Sequence, residues 1–284
     1  MTVAARPLPA TRSREQRRLT EPPIVRWTLI AVAIGFLTLF LAIPLVAVFV
    51  EAFANGFGAY VSAIVEPDAL AALRLTLLTA AIAVPANLLF GLCAGWAIAR
   101  FQFRGKQLLI SLIDLPFAVS PVISGLIFVL IAGRQGLIGP WLSEHGIRIV
   151  FDVPGVVLAS VFVSLPFIAR EVIPIMEAGG ADEEEAARLL GAGGLQTFFR
   201  VTLPNIKWGV FYGVILCTAR VIGEFGAVSV VSGRIRGLTN TLPLHVEILY
   251  NEYRFQAAFA VASILTCLAL VTLIVKTVAE RHLR

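Results

Sequence analysis

Six stretches of this chain run for more than twenty residues of nearly unbroken apolar sequence, and no other feature limits the fold as strongly. They cover 27–50, 75–99, 108–132, 154–176, 208–231 and 257–278, each near the ~20 residues that ~30 Å of hydrocarbon requires. In hydrocarbon every backbone polar group must be bonded internally, which leaves helices or a closed barrel. Barrel strands alternate apolar and polar residues over about ten positions. These runs are continuous, so the predicted fold class is all-α, a polytopic membrane protein with six transmembrane helices. The composition agrees: 58% of the residues are hydrophobic and 14% charged, whereas soluble domains carry about a quarter charged residues.

Six spans place both termini on one side. Ahead of the first span lies a basic tail, 1–26, with Arg6, Arg12, Arg14, Arg17, Arg18 and Arg26. A cleaved signal peptide is the competing reading of that start, and Ala52-Phe53-Ala54 resembles a cleavage site. The apolar run is too long for it, since signal cores span roughly 7–15 residues. Lysine and arginine set orientation. The tail, Arg100, Arg104 and Lys106, Arg188, Arg200 and Lys207, and Lys276, Arg281 and Arg284 fall on one side. Arg134, Arg148, Arg234, Arg236 and Arg254 fall on the other. That excess predicts cytoplasmic N- and C-termini, with 281–284 as a short cytoplasmic tail.

The net charge of +5 is no sign of nucleic-acid binding, because the arginines cluster beside the first span without an aromatic RNA-binding pattern. Cys93, Cys217 and Cys267 each stand alone in an apolar run and read as small packing residues. His145, His245 and His282 have no ligand or triad neighbours, so neither a metal site nor catalysis is expected. Pro44, Pro85, Pro116, Pro121, Pro166 and Pro174 interrupt the spans, as packing kinks or as breaks lining a pathway.

The polar interval 177–207, between the fourth and fifth spans, is the most informative. It reads Ala181-Asp-Glu-Glu-Glu185-Ala186-Ala187-Arg-Leu-Leu-Gly191, then nine residues to Val201, then Thr202-Leu203-Pro204. Asp182 is placed to cap a short helix whose acidic first turn suits the positive end of the helix dipole. Ala186, Ala187, Leu189 and Leu190 give it an apolar side. Gly191-Ala192-Gly193-Gly194 must break it, since glycine admits left-handed geometry. Leu195, Phe198 and Phe199 form a second apolar cluster, and Pro204 suits the first turn of the next helix. The product is a helix–turn–helix knuckle outside the membrane.

Glu185, Ala186, Ala187, Gly191, Val201, Leu203 and Pro204, at that spacing, resemble the signature loop of importer permeases in the ABC superfamily, with Val201 where isoleucine is commoner. Asp114-Leu-Pro-Phe-Ala-Val-Ser-Pro121, Arg220-Val-Ile-Gly-Glu224-Phe-Gly-Ala-Val-Ser-Val-Val-Ser-Gly233 and Asn87-Leu-Leu-Phe-Gly are similar to the sulfate/thiosulfate permeases among them, nearest the CysW type. The resemblance implies a MetI-like fold in the bacterial inner membrane, with the knuckle as the coupling helix seated in a cytoplasmic ATPase. It also implies a sister permease as heterodimer partner, two ATPase copies and an extracytoplasmic sulfate/thiosulfate-binding protein. No Gly-x4-Gly-Lys-[Ser/Thr] phosphate loop is present, so the resemblance puts ATP and Mg on the partner ATPase and no cofactor on this chain.

Arg220 and Glu224 are four apart on one helix face near mid-bilayer depth, where an unpaired charge costs at least ~3 kcal/mol. Two readings stay open for them: a buried pair fixing helix register, or a lining of the anion path together with Ser120 and Ser124. Asp114 reads as a structural cap beside Pro116, and Arg170 and Glu171 as a snorkelling or paired site. Molybdate or tungstate is the alternative cargo. A secondary transporter would need acidic coupling sites in the spans, and a membrane enzyme clustered His, Asp or Ser.

Overall fold

The computed structural model describes residues 23–281; the basic tail up to residue 22, and residues 282–284 with His282, lie outside them. Among the described residues the regular structure is helical throughout. The chain divides into two units, 1–47 and 48–284.

In the first unit, α1 (Pro23–Leu37) runs through a π turn at Thr38–Ala42 into α2 (Ile43–Ala52), which continues into the second unit. Pro44 explains the π turn: its ring clashes with the carbonyl four residues back, and the wider turn relieves that clash. Ile24–Ala52 is apolar enough to cross a membrane, and none of its most apolar window is buried within the chain.

The second unit continues with α3 (Gly56–Val65), α4 (Pro67–Arg100), α5 (Lys106–Ala118), α6 (Pro121–Ala132), α7 (Gly139–Glu144) and α8 (Val153–Ala178). Then follow α9 (Asp182–Leu189), α10 (Gly194–Thr197), a second π turn at Phe198–Thr202, α11 (Leu203–Ile222), α12 (Gly226–Val231), α13 (Leu242–Asn251) and α14 (Phe255–Arg281). The second π turn stands before Pro204 as the first stands before Pro44, so the same relief accounts for both. α8 lies at the centre, packed by α4, α11, α12, α5 and α6. Its Ile168, Val172 and Met176 pack with Ala80 and Ala83 of α4 and Ile206, Cys217 and Val221 of α11. Gly91 lets α4 approach closely: a Cβ there would sit 2.8 Å from Ile168 Cγ2. Small residues play this part between helices in lipid, where association rests on packing rather than on expulsion of water.

Two expected spans take a different form. The segment 108–132 is two helices, α5 and α6, bent by 110°. Pro121 disfavours helical geometry at the residue before it, and Ser120 is extended, with φ −57° and ψ 135°. The segment 208–231 is also broken: α11 starts earlier, at Leu203, and stops at Ile222, with Gly223 and Phe225 separating it from α12. By length and composition, four described helices can cross a membrane, or five if the bent pair is one span.

Candidate functional site

The knuckle is α9 with the turn that follows. Ala181, not Asp182, occupies the N-cap position, and no side chain caps the helix. Asp182 lies inside the first turn with Glu183, Glu184 and Glu185, where carboxylates still meet the positive end of the dipole. The C-terminus closes as a Schellman motif: Gly191 N donates to Arg188 O at 2.9 Å and Ala192 N to Ala187 O at 3.0 Å. This needs left-handed backbone after the cap, and Gly191 has φ +90° with open space around it.

The acidic run splits by helix face. Glu184 turns inward, where Arg100, the last residue of α4, grips both its oxygens, Nε at 2.9 Å and Nη2 at 3.0 Å. Thr202 Oγ1 donates to the same carboxylate at 2.8 Å. Glu183 accepts from Asn205 Nδ2 on α11. Glu185 and Ala186 face solvent, and Leu189 and Leu190 are each 89% exposed. α9 therefore presents two leucines and a carboxylate outward while its buried carboxylate ties it to the helix bundle.

After the turn, Phe198 meets Trp96 of α4 with ring centroids 5.2 Å apart. Leu195, Phe198, Phe199 and Leu203 border an apolar cavity of about 440 Å³ against Leu88, Leu92 and Trp96. The second apolar cluster thus packs back toward α4, although Leu195 and Phe199 stay largely exposed. Val201 is half-buried and Pro204 exposed on α11.

Within the helices, Arg220 Nη2 lies 2.9 Å from Glu224 Oε2. The pair is asymmetric: Glu224 is 2% exposed, whereas a third of the arginine side chain is accessible. Glu224 sits in the break after α11, and its Oε1 accepts from Ala227 N at 2.9 Å, satisfying an amide of the first turn of α12. Arg220 also borders a cavity of about 410 Å³ at the α5–α6 bend, with Pro116, Ser120 and Pro121. Ser124 does not line it; that residue is buried in α6, and its hydroxyl donates to Ser120 O.

Asp114 does not cap a helix beside Pro116. Both lie inside α5, and Asp114 Oδ1 accepts from Arg170 Nε of α8 at 2.6 Å. The carboxylate and guanidinium pair across two helices, with more than half of the arginine side chain exposed, a contact that local sequence does not show. Asn87 is fully buried, its amide donating to Ser164 Oγ at 2.7 Å and Val161 O at 3.1 Å, so it ties α4 to α8. Cys217 is buried, whereas Cys93 and Cys267 are exposed. His245 is not a loop residue: it is 1% exposed on α13, and burial holds its imidazole pKa below the ordinary value.

Sequence reasoning missed Arg100 and Thr202. Arg100 entered only as an orientation charge, and nothing local links it to a carboxylate 84 residues away.

A family model described as "Binding-protein-dependent transport system inner membrane component" matches residues 87–284. The sulfate transport system permease protein CysW of Synechocystis sp. is 51% identical over 91% of this chain and 94% of its own length. The Escherichia coli protein of that name is 48% identical over 91% and 89%, and the E. coli CysT permease 35% identical over 84% and 86%. A solved bacterial alginate ABC transporter, in complex with a pentasaccharide-bound periplasmic protein, shares the fold at a TM-score of 0.75. It covers 92% of this chain and 94% of that one at 17% identity. On these matches the chain belongs to the inner-membrane components of binding-protein-dependent transport systems, in the family that includes the CysW permeases.

Proposed function

We propose that this chain is the CysW-type permease of an ATP-driven importer carrying sulfate or thiosulfate across the bacterial inner membrane. A sister permease completes the pore, two ATPase copies bind on the cytoplasmic side, and an extracytoplasmic binding protein delivers the anion. The chain supplies no catalysis; ATP and Mg belong to the ATPase. Both termini are cytoplasmic, on the side of the knuckle.

The outward face of α9 supports this reading most directly. Two leucines almost wholly in water at the tip of a short polar helix make a contact surface waiting for a hydrophobic cleft. Closure of the ATPase dimer would pull on Glu185, Leu189 and Leu190 and rock the helices between inward- and outward-open states. The cavity at the α5–α6 bend, which Arg220 borders, supports a role for this arginine in the anion path: a third of its side chain is accessible, and Glu224 holds it by a 2.9 Å ion pair. The identity of 51% and 48% to two CysW permeases supports the cargo.

Uptake of radiolabelled sulfate tests the proposal. A strain lacking this chain and other sulfate importers should lose uptake and regain it on complementation. Retained sulfate uptake with lost molybdate uptake would reassign the cargo to the related oxyanion.

A further inference from the structure

α9 is weakly held by the backbone that flanks it. Gly179-Gly180 precedes it, with Gly180 at φ +64°, and Gly191-Ala192-Gly193-Gly194 follows it. A helix of eight residues between glycine hinges transmits little force through its backbone, because glycine joints yield in φ and ψ. Its side-chain attachment is of another kind. Arg100 ends α4, a helix of 34 residues and thus about 51 Å long. Its Nε and Nη2 hold both oxygens of Glu184, and its Nη1 donates to Met176 O at 2.8 Å in the last turn of α8. Thr202 completes the junction from the π turn leading into α11. The Arg100 side chain is 13% exposed and that of Glu184 7%. A bidentate arginine–carboxylate pair fixes orientation as well as distance, and burial keeps water from replacing either partner.

We infer that Arg100, Glu184 and Thr202 form a positioning clamp that makes α9 move as one rigid body with the ends of α4, α8 and α11. The clamp converts a pull on the exposed leucines into motion of the long helices, which the flanking glycines alone would absorb. The inference rests on the coupling role proposed for α9 and adds to it the residues that pass the motion on.

The test uses the complete importer, with sister permease, ATPases and binding protein, reconstituted in vesicles, and reads sulfate moved per ATP hydrolysed. A purely structural defect lowers transport and hydrolysis together and leaves that ratio alone; a slack joint lowers the ratio. Arg100→Gln should retain the ATPase and its hydrolysis while the ratio falls about tenfold, an ordinary size for coupling between sites. Arg100→Lys keeps the charge but not the fork or the bond to Met176, and should fall between the two. A wild-type ratio in Arg100→Gln, with the ATPase bound, overturns the clamp and leaves the coupling role standing. If Arg100→Gln does not assemble, Arg100→Lys decides, and a wild-type ratio there overturns the clamp equally. Absence of the ATPase from the wild-type preparation instead defeats the coupling role itself.

Discussion

At one end of α4, Glu66 meets Arg254, with Nη1 and Nη2 donating to the two carboxylate oxygens at 3.2 and 3.0 Å. At the other end, Arg100 also meets both oxygens of Glu184, but side-on, through Nε and Nη2. The side chains of the first pair are 28% exposed for the carboxylate and 44% for the arginine; those of the second are 7% and 13%. Both are two-pronged arginine–carboxylate pairs; the second has added bonds to Met176 and Thr202, and access of water differs most. Exposed pairs contribute roughly 0–1 kcal/mol, because water competes and both side chains lose freedom. A buried pair contributes little relative to an apolar replacement, but removing one partner strands a charge at a cost of about 3–5 kcal/mol. The end bearing the knuckle is therefore fixed in place, while the far end is trimmed by contacts that water can substitute.

The largest effect should come from Arg100→Gln or Glu184→Gln, which strand one charge. Amide exchange across 182–190 should accelerate in line with about 3 kcal/mol of lost local stability, the lower bound because the pair keeps some exposure. Exchange unchanged within error would break the comparison at once.

Gly191→Val comes next. Left-handed geometry in a residue with a Cβ costs about 1–2 kcal/mol, and no neighbouring atom adds a clash. The variant should insert normally and speed amide exchange across 182–190 by a smaller factor than Arg100→Gln does. If it loosens α9 more than Arg100→Gln does, the backbone holds the knuckle rather than the clamp.

Arg254→Gln should cost at most about 1 kcal/mol, discounted for exposure, as read from thermal melting in detergent. A loss matching that of Arg100→Gln would show that water access does not separate the two ends. The smallest effect is one of pH. Hydrogen bonds from Arg254 hold the Glu66 carboxyl below its ordinary pKa. A carboxyl depressed in the folded state stabilises above its unfolded pKa, and that contribution fades as pH falls through the folded value. Protection of the amides at 250–257, taken against their intrinsic exchange rate at each pH, should thus fall as pH drops below the usual carboxylate range, and Glu66→Gln should flatten that fall.

Legibility from sequence followed the range of the interaction. The expected 154–176 and 257–278 lie inside α8 and α14, because continuous apolar sequence reports burial in lipid directly. α4 begins at Pro67 rather than Leu75, since Asp68 and Arg74 hide its first turns from an apolar scan. The α5–α6 bend was signalled by Ser120-Pro121, a local rule outweighed by the apolar run around it. At the knuckle, Gly191 was legible because its constraint is local. The partners of Glu184 and Asp114 were not, since Arg100 and Arg170 lie 84 and 56 residues away and meet them only through packing.

Leu189 and Leu190 also bear on how such a chain is made. Fully burying a leucine side chain contributes about 1.5–3 kcal/mol, and here two adjacent ones are in water. A copy synthesised ahead of whatever covers them carries an adhesive patch on the knuckle, open to chaperones, proteases and other copies of itself. Surplus chain should therefore be sticky and short-lived, and covered chain should persist. Overproduced alone, this protein should be cleared or aggregate, and Leu189→Ser with Leu190→Ser should extend the life of the orphan.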